Sequence, residues 1–172
     1  MSRGFALFET AVGDCGIVWS DRGVAGFQLP EADALSTRRC TASRFPGAIE
    51  TAPPPDIRRA IDAIVTLLRG EEADLSFISL DMDGVPAFHQ RVYDVARTIP
   101  PGATLTYGEI ARRLGDPGSA RAVGQALGRN PIPVIVPCHR VTAAGGKTGG
   151  FSAPGGASTK LTLLAIEGAQ LF

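Results

Sequence analysis

At Asp83-Gly84 the spacing of apolar residues changes from the period of strands to the period of helices, and that change constrains how the 172-residue chain can fold. Upstream, apolar residues alternate or run together at Phe5, Leu7 and Phe8, at Ile17, Val18 and Trp19, and at Val24, Phe27 and Leu29. Gly13 and Ser20-Asp21-Arg22-Gly23 supply turn chemistry between them, so the pattern predicts a β-meander. Residues 40–56, with Pro46 and Pro53-Pro54-Pro55, have no periodicity and read as an exposed loop. Ile57, Ile61, Ile64, Leu67 and Leu68 then share one stripe of a helix over about 56–69. Phe77, Ile78 and Leu80 suggest one more short strand. Downstream, Phe88, Val92, Val95, Ala96 and Ile99 follow helical spacing until Pro100-Pro101-Gly102 stops it. The expected fold is α+β, with an N-terminal lobe over residues 1–84 and a helical lobe over residues 85–172.

The charge follows the same division. The whole chain is neutral, but residues 1–84 hold eight basic and thirteen acidic residues, a net −5, and residues 85–172 hold nine basic and four acidic, a net +5. Clustered cations are what phosphate binding needs, so the second lobe is the candidate nucleic-acid face, with chance partition of surface charge as the plainer alternative. A hydrophobic content of 44% with 20% charged residues excludes a disordered chain. No run of 18 apolar residues occurs, and the N-terminus has no basic stretch followed by an apolar core, so neither membrane insertion nor secretion is expected. Cys15, Cys40 and Cys138 cannot all pair within one chain, and none lies in a metal-binding spacing. The expectation is a cytoplasmic protein without structural zinc.

Within the second half, Thr106 and Glu109 form the T-x-x-E capping box of a short helix ending at Gly115, and Ser119 is placed to cap the next helix, 120–128. Joined by Gly115-Asp116-Pro117-Gly118, the pair fits a helix-turn-helix or an ordinary αα-hairpin. Gly124 and Gly128 each cost the second helix about 1 kcal/mol relative to alanine, which implies that something approaches it closely. Arg121, in its first turn, opposes the helix dipole, so it is either a surface charge or a residue kept for a ligand. Next, Pro131-Ile132-Pro133-Val134-Ile135-Val136-Pro137 reads as a stiff strand delivering Cys138-His139-Arg140. A lone cysteine is often an inert small hydrophobe, but the cationic neighbours His139 and Arg140 and the rigid backbone favour a reactive Cys138.

Pro137-Cys138-His139-Arg140-Val141 resembles the active-site motif of the O6-alkylguanine-DNA alkyltransferases, the methylated-DNA-protein-cysteine methyltransferases. The resemblance covers residues 85–172 through Phe88 to Tyr93, Pro101-Gly102, Thr106-Tyr107-Gly108-Glu109, Ala120 to Gly124, Asn130-Pro131, the Ser152 loop and Leu163 to Gly168. Residues 1–84 match the family's ribonuclease H-like lobe only in strand order and in the turn Asp21-Arg22-Gly23-Val24. The resemblance implies an alkyl acceptor at Cys138, activated through His139, a bridging water and Glu167, with Tyr107 as proton or hydrogen-bond donor to the guanine. It also implies that Arg121 enters duplex DNA from the minor groove as the guanine flips out, that Asn130 is a hinge, and that Val141 and Ser152 offer backbone groups to the base beside Phe151. The implied partner is double-stranded DNA containing O6-alkylguanine, bound by a monomer that needs no cofactor and turns over once.

Three features depart from the usual pattern. Tyr93 replaces a common tryptophan, Phe151 replaces a tyrosine, and Ser152-Ala153-Pro154-Gly155-Gly156 is two residues longer than Ser-Gly-Gly. Nor does the length leave room for a further regulatory domain. Two other functions compete: an alkyltransferase-like binder, which would lack Cys138, and a dimeric helix-turn-helix regulator with a redox cysteine.

Overall fold

A computed structural model describes residues 2–169. The chain divides into two compact units, Met1–Asp83 with Pro131–Ile135, and Gly84–Asn130 with Val136–Phe172.

In the first unit β1 (Gly4–Thr10), β2 (Gly13–Ser20) and β3 (Gly23–Gln28) form the expected meander, and β4 (Ile49–Glu50) joins β1 in parallel to give the order β3-β2-β1-β4. Both hairpin turns depend on glycine at positive φ, Gly13 at 121° and Gly23 at 139°. Helix α2 (Pro55–Leu68) starts on a proline, whose missing N–H costs nothing in a first turn, and buries Ile57, Ala60, Ile64, Leu67 and Leu68. Each such Ile or Leu contributes about 1.5–3 kcal/mol of transfer free energy.

Several expectations are corrected here. Part of the loop expected at 40–56 belongs to helix α1 (Ala34–Arg44), which shows no apolar stripe because its buried positions are Thr37 and Thr41. Asp33 sets its start, its Oδ1 accepting the Ser36 N–H at 2.7 Å. Phe77, Ile78 and Leu80 do not form a strand. Phe77 is 54% exposed, and Leu80 makes only an isolated parallel bridge to Val24. The run Pro131 to Pro137 is a turn rather than a strand, because three prolines remove the donors a ladder requires. Val134 sits there at φ 74°, an unfavourable conformation for a β-branched residue.

In the second unit, α3 (Ala87–Ala96) buries Val92, Tyr93 and Ala96. The tyrosine at the usual tryptophan position is satisfied, since its hydroxyl donates to the Ala126 carbonyl at 2.6 Å. The short strand β5 (Leu105–Thr106) leads into α4 (Tyr107–Arg113), whose capping box forms with both hydrogen bonds at 3.1 Å. Gly115, at φ 77°, follows the helix end. Ser119 does not cap α5 (Ala120–Gly128) as expected: its hydroxyl turns back to donate to the Asp116 carbonyl at 2.7 Å, within a 3-10 turn over Pro117–Ser119. Helices α4 and α5 pack together in the order of a helix-turn-helix. A second 3-10 turn, Cys138–Arg140, precedes β6 (Val141–Thr142), which pairs in parallel with β5, and α6 (Ala157–Ile166) comes last. Among the described residues, no helix is long and apolar enough to cross a membrane.

Candidate active site

The Cys138 thiol lies at the start of its 3-10 turn, 8% exposed, on the wall of a cavity of about 450 Å³. Tyr107, Gly124, Leu127, Gly128, Gly150, Phe151 and Ser152 complete the lining. The close approach expected at α5 is not found, since neither glycine has a neighbour nearer than ordinary van der Waals contact. An added Cβ at Gly124 would lie 3.9 Å from the Tyr107 ring, and one at Gly128 would project into open space, so the glycines keep the helix face thin where it borders the cavity. Tyr107 is held from the loop side by a hydrogen bond with the Gly150 backbone. Burial and the Cys138 charge raise its phenol above the ordinary value, so it keeps its proton and can donate it.

Behind the thiol is a buried polar cluster built from adjacent residues in the turn and one residue of α6's C-terminus. Glu167 Oε2 accepts from His139 Nε2 at 3.0 Å and from Arg140 Nη2 at 2.7 Å, while Oε1 accepts from Arg140 Nε at 2.9 Å. Arg140 also donates Nη1–H to the Ile99 carbonyl at 2.6 Å. Burial alone would raise the Glu167 carboxyl, but the hydrogen bonds from His139 and Arg140 and the charge of Arg140 outweigh it and hold the group at about 2. Burial pushes the His139 imidazole below its ordinary value, so the ring is neutral. With Nε2–H donated to Glu167, Nδ1 is left as the acceptor; it is buried and has no hydrogen-bond partner among the described residues.

Burial pushes the Cys138 thiol up, against hydrogen bonds from the Asn130 amide and from backbone N–H groups and against the charge of Lys160. The positive potential expected of His139 and Arg140 is therefore corrected. His139 is neutral and Arg140 is matched by Glu167; the cation acting on the sulfur comes from α6, and nothing in the local spacing around the cysteine points to Lys160. The Arg140 pairing is equally invisible in that spacing, since its partner lies 27 residues away.

The remaining expected residues fall in different places. Asn130 donates its Nδ2–H to the Val136 carbonyl at 2.9 Å, spanning the turn that leads to Cys138. Val141 is buried outside the cavity lining, its carbonyl accepting from Lys160 Nζ at 2.6 Å. Phe151 and Ser152 line the cavity. Arg121 does not: it is exposed on the first turn of α5 and has no hydrogen bond or ion pair among the described residues. Cys15 and Cys40 lie in the other unit, and burial drives the Cys15 thiol up to about 12. Among the described residues, no group of three His, Cys, Asp or Glu side chains is placed to hold a metal ion.

Comparison with known proteins agrees with this geometry. Residues 87–169 match the family model described as the 6-O-methylguanine DNA methyltransferase, DNA binding domain. The crystal structure of Mycobacterium tuberculosis OGT in complex with DNA superposes with a TM-score of 0.78 at 32% identity, covering 98% of this chain and 93% of that one. O6-methylguanine-DNA methyltransferase from the archaeon Pyrococcus kodakaraensis KOD1 gives a TM-score of 0.74 at 26% identity, over 96% and 99% of the two chains. A methylated-DNA-protein-cysteine methyltransferase of Methanothermobacter thermautotrophicus is 39% identical over 158 residues, 92% of this chain and 81% of the relative. With that identity extending across both units, the chain belongs to the methylated-DNA-protein-cysteine methyltransferase family.

Proposed function

We propose that this protein repairs O6-alkylguanine in double-stranded DNA by moving the alkyl group irreversibly onto Cys138. The observation that carries this reading is a cysteine opening into a cavity opposite a proton-bearing tyrosine, with a neutral histidine and an ionised glutamate behind it. Activation begins with the thiol proton, which passes through a bridging water to His139 Nδ1, and Glu167 stabilises the imidazolium that forms. Sulfur attacks the alkyl carbon, the carbon–O6 bond breaks, and its electron pair is left on the purine. Tyr107 donates its proton to the departing guanine and recovers one from His139. The balance is a thiol and an O6-alkylguanine converted to a thioether and a guanine. The thioether carbon–sulfur bond is inert to the weak nucleophiles available, so each molecule acts once.

A thiol so little exposed meets only an extrahelical base, and flipping a guanine costs a few kcal/mol. Arg121, exposed and unpaired on α5, supports a role in filling the vacated stack from the minor groove. Asn130 acts as the hinge, and Ser152, on the cavity lining, is available to the guanine edge, whereas Val141 lies outside that lining. All of these residues lie in one unit of one chain, which supports action as a monomer. The test is a peptide map after incubation with duplex containing O6-methylguanine. One methyl group on Cys138, and none on Cys15 or Cys40, is expected; methyl on another cysteine, or on none, overturns the reading.

A further inference from the structure

Lys160 is a charged residue buried within the family motif region, and the acid-base scheme above does not use it. It projects from α6 with none of its surface exposed. Its Nζ donates to the carbonyl of Val141, three residues after the acceptor cysteine, at 2.6 Å, and to that of Gly150, on the loop lining the cavity, at 3.3 Å. It also lies 5.9 Å from the centre of the Tyr107 ring. No carboxylate among the described residues pairs with it, and the opposite charge it responds to is that of Cys138. Burying an ammonium against neutral carbonyls is expensive, and a methionine of similar length would fill the space without that cost. A cation kept there against the cost of burial has work to do when negative charge appears, and in this site negative charge appears on the sulfur.

We propose that Lys160 is the positioning cation of the acceptor site: its ammonium, anchored on the Val141 and Gly150 carbonyls, stabilises the Cys138 thiolate and holds the Gly150 loop against Tyr107. The inference rests on Cys138 being the acceptor. The titratable and charged groups around Lys160 are Cys138 and His139 of the turn and Tyr107 of α4, while Arg140 is neutralised by Glu167. Burial lowers the Lys160 pKa to about 8 against the upward pull of Cys138. The stabilisation is therefore complete well below that pH and fades above it as the amine loses its proton.

The chain has two lysines, exposed Lys147 and buried Lys160, which makes the test direct. In Lys160→Met, capture of Cys138 by iodoacetamide, resolved by mass spectrometry across pH, should show the thiol midpoint at least one pH unit higher than in wild type. Single-turnover methyl transfer near neutral pH should fall at least tenfold. An unchanged midpoint in a folded variant overturns the proposal, because a lysine that only braces the loop would leave the thiol's acidity alone. If Lys160→Met does not fold, the wild type supplies the answer. With ¹³Cε-lysine, the buried signal should titrate at lower pH once Cys138 is carbamidomethylated, and an unmoved titration overturns the proposal. Neither the iodoacetamide readout nor the lysine titration uses DNA, so failure of the repair reading, seen as an unmethylated Cys138 in wild type, is distinguishable from failure of this one.

Discussion

Replacing Glu167 by glutamine removes a charge and almost no volume, and three donors determine how much stability is lost. His139 Nε2, Arg140 Nε and Arg140 Nη2 all converge on the two carboxylate oxygens, at 3.0, 2.9 and 2.7 Å. Glutamine offers one oxygen and one NH₂, so at least one donor faces another donor, and the buried Arg140 guanidinium loses its counter-ion. Removing one partner of a buried pair costs about 3–5 kcal/mol. A second route gives a similar size. The carboxyl is held at about 2 against an ordinary 4.5, and a shift of that span is worth about 3 kcal/mol of folding stability. Because the folded pKa lies below the unfolded one, this contribution is complete above about pH 4.5 and is lost as pH falls toward about 2. The assay is urea unfolding of wild type and Glu167→Gln from neutral pH downward. The difference between them should be about 3 kcal/mol near pH 7, with more than half gone by about pH 3. A difference under about 1 kcal/mol, or one that does not change with pH, would refute the argument that charge on Glu167 secures the cluster.

Three further substitutions test other parts of the site. Arg121→Ala should slow repair of duplex O6-methylguanine far more than transfer from the same lesion in single-stranded DNA, with no change in melting temperature; equal losses on both substrates would refute a role in flipping. Gly149→Ala places a Cβ 2.5 Å from the Tyr107 hydroxyl and forces alanine to φ 76°, strain of about 1–2 kcal/mol, so single-turnover transfer should fall while the melt drops only modestly. An unchanged rate would mean that the hydroxyl does not depend on that loop. Thr106→Ala removes half of the capping box and should cost about 1 kcal/mol in denaturant unfolding, with no loss expected if α4 is held by packing alone.

How far the fold and the site are legible in the residues alone depends on the range of the interactions. The meander, α2 and the capping box of α4 are written in neighbouring residues, as alternation, a 3.6-residue stripe and a four-residue signature, and all three form. Helix α1 escapes the same reasoning because its buried positions are threonines, which a search for apolar periodicity passes over, although Asp33 three residues before Ser36 marks its start. At the site, the motif around Cys138 points to the proposed acceptor but misplaces its electrostatics. Sequence adjacency makes His139 and Arg140 look like the cations serving the thiol, whereas burial keeps one neutral and Glu167 neutralises the other. The charge that acts on the sulfur arrives from α6, 22 positions along the chain, where a single lysine flanked by Ser158, Thr159 and Thr162 looks like an ordinary surface position. Only burial distinguishes it, because a lysine with no exposed surface must have its charge answered from within the site. Adjacency in sequence thus points to the proposed nucleophile, and the parallel pairing of Leu105 with Val141 and of Thr106 with Thr142 brings the helix of the proposed proton donor to it. Tyr107 comes directly after β5, and β6 comes directly after the turn that holds Cys138, so the pairing of two two-residue strands sets the position of the tyrosine opposite the thiol.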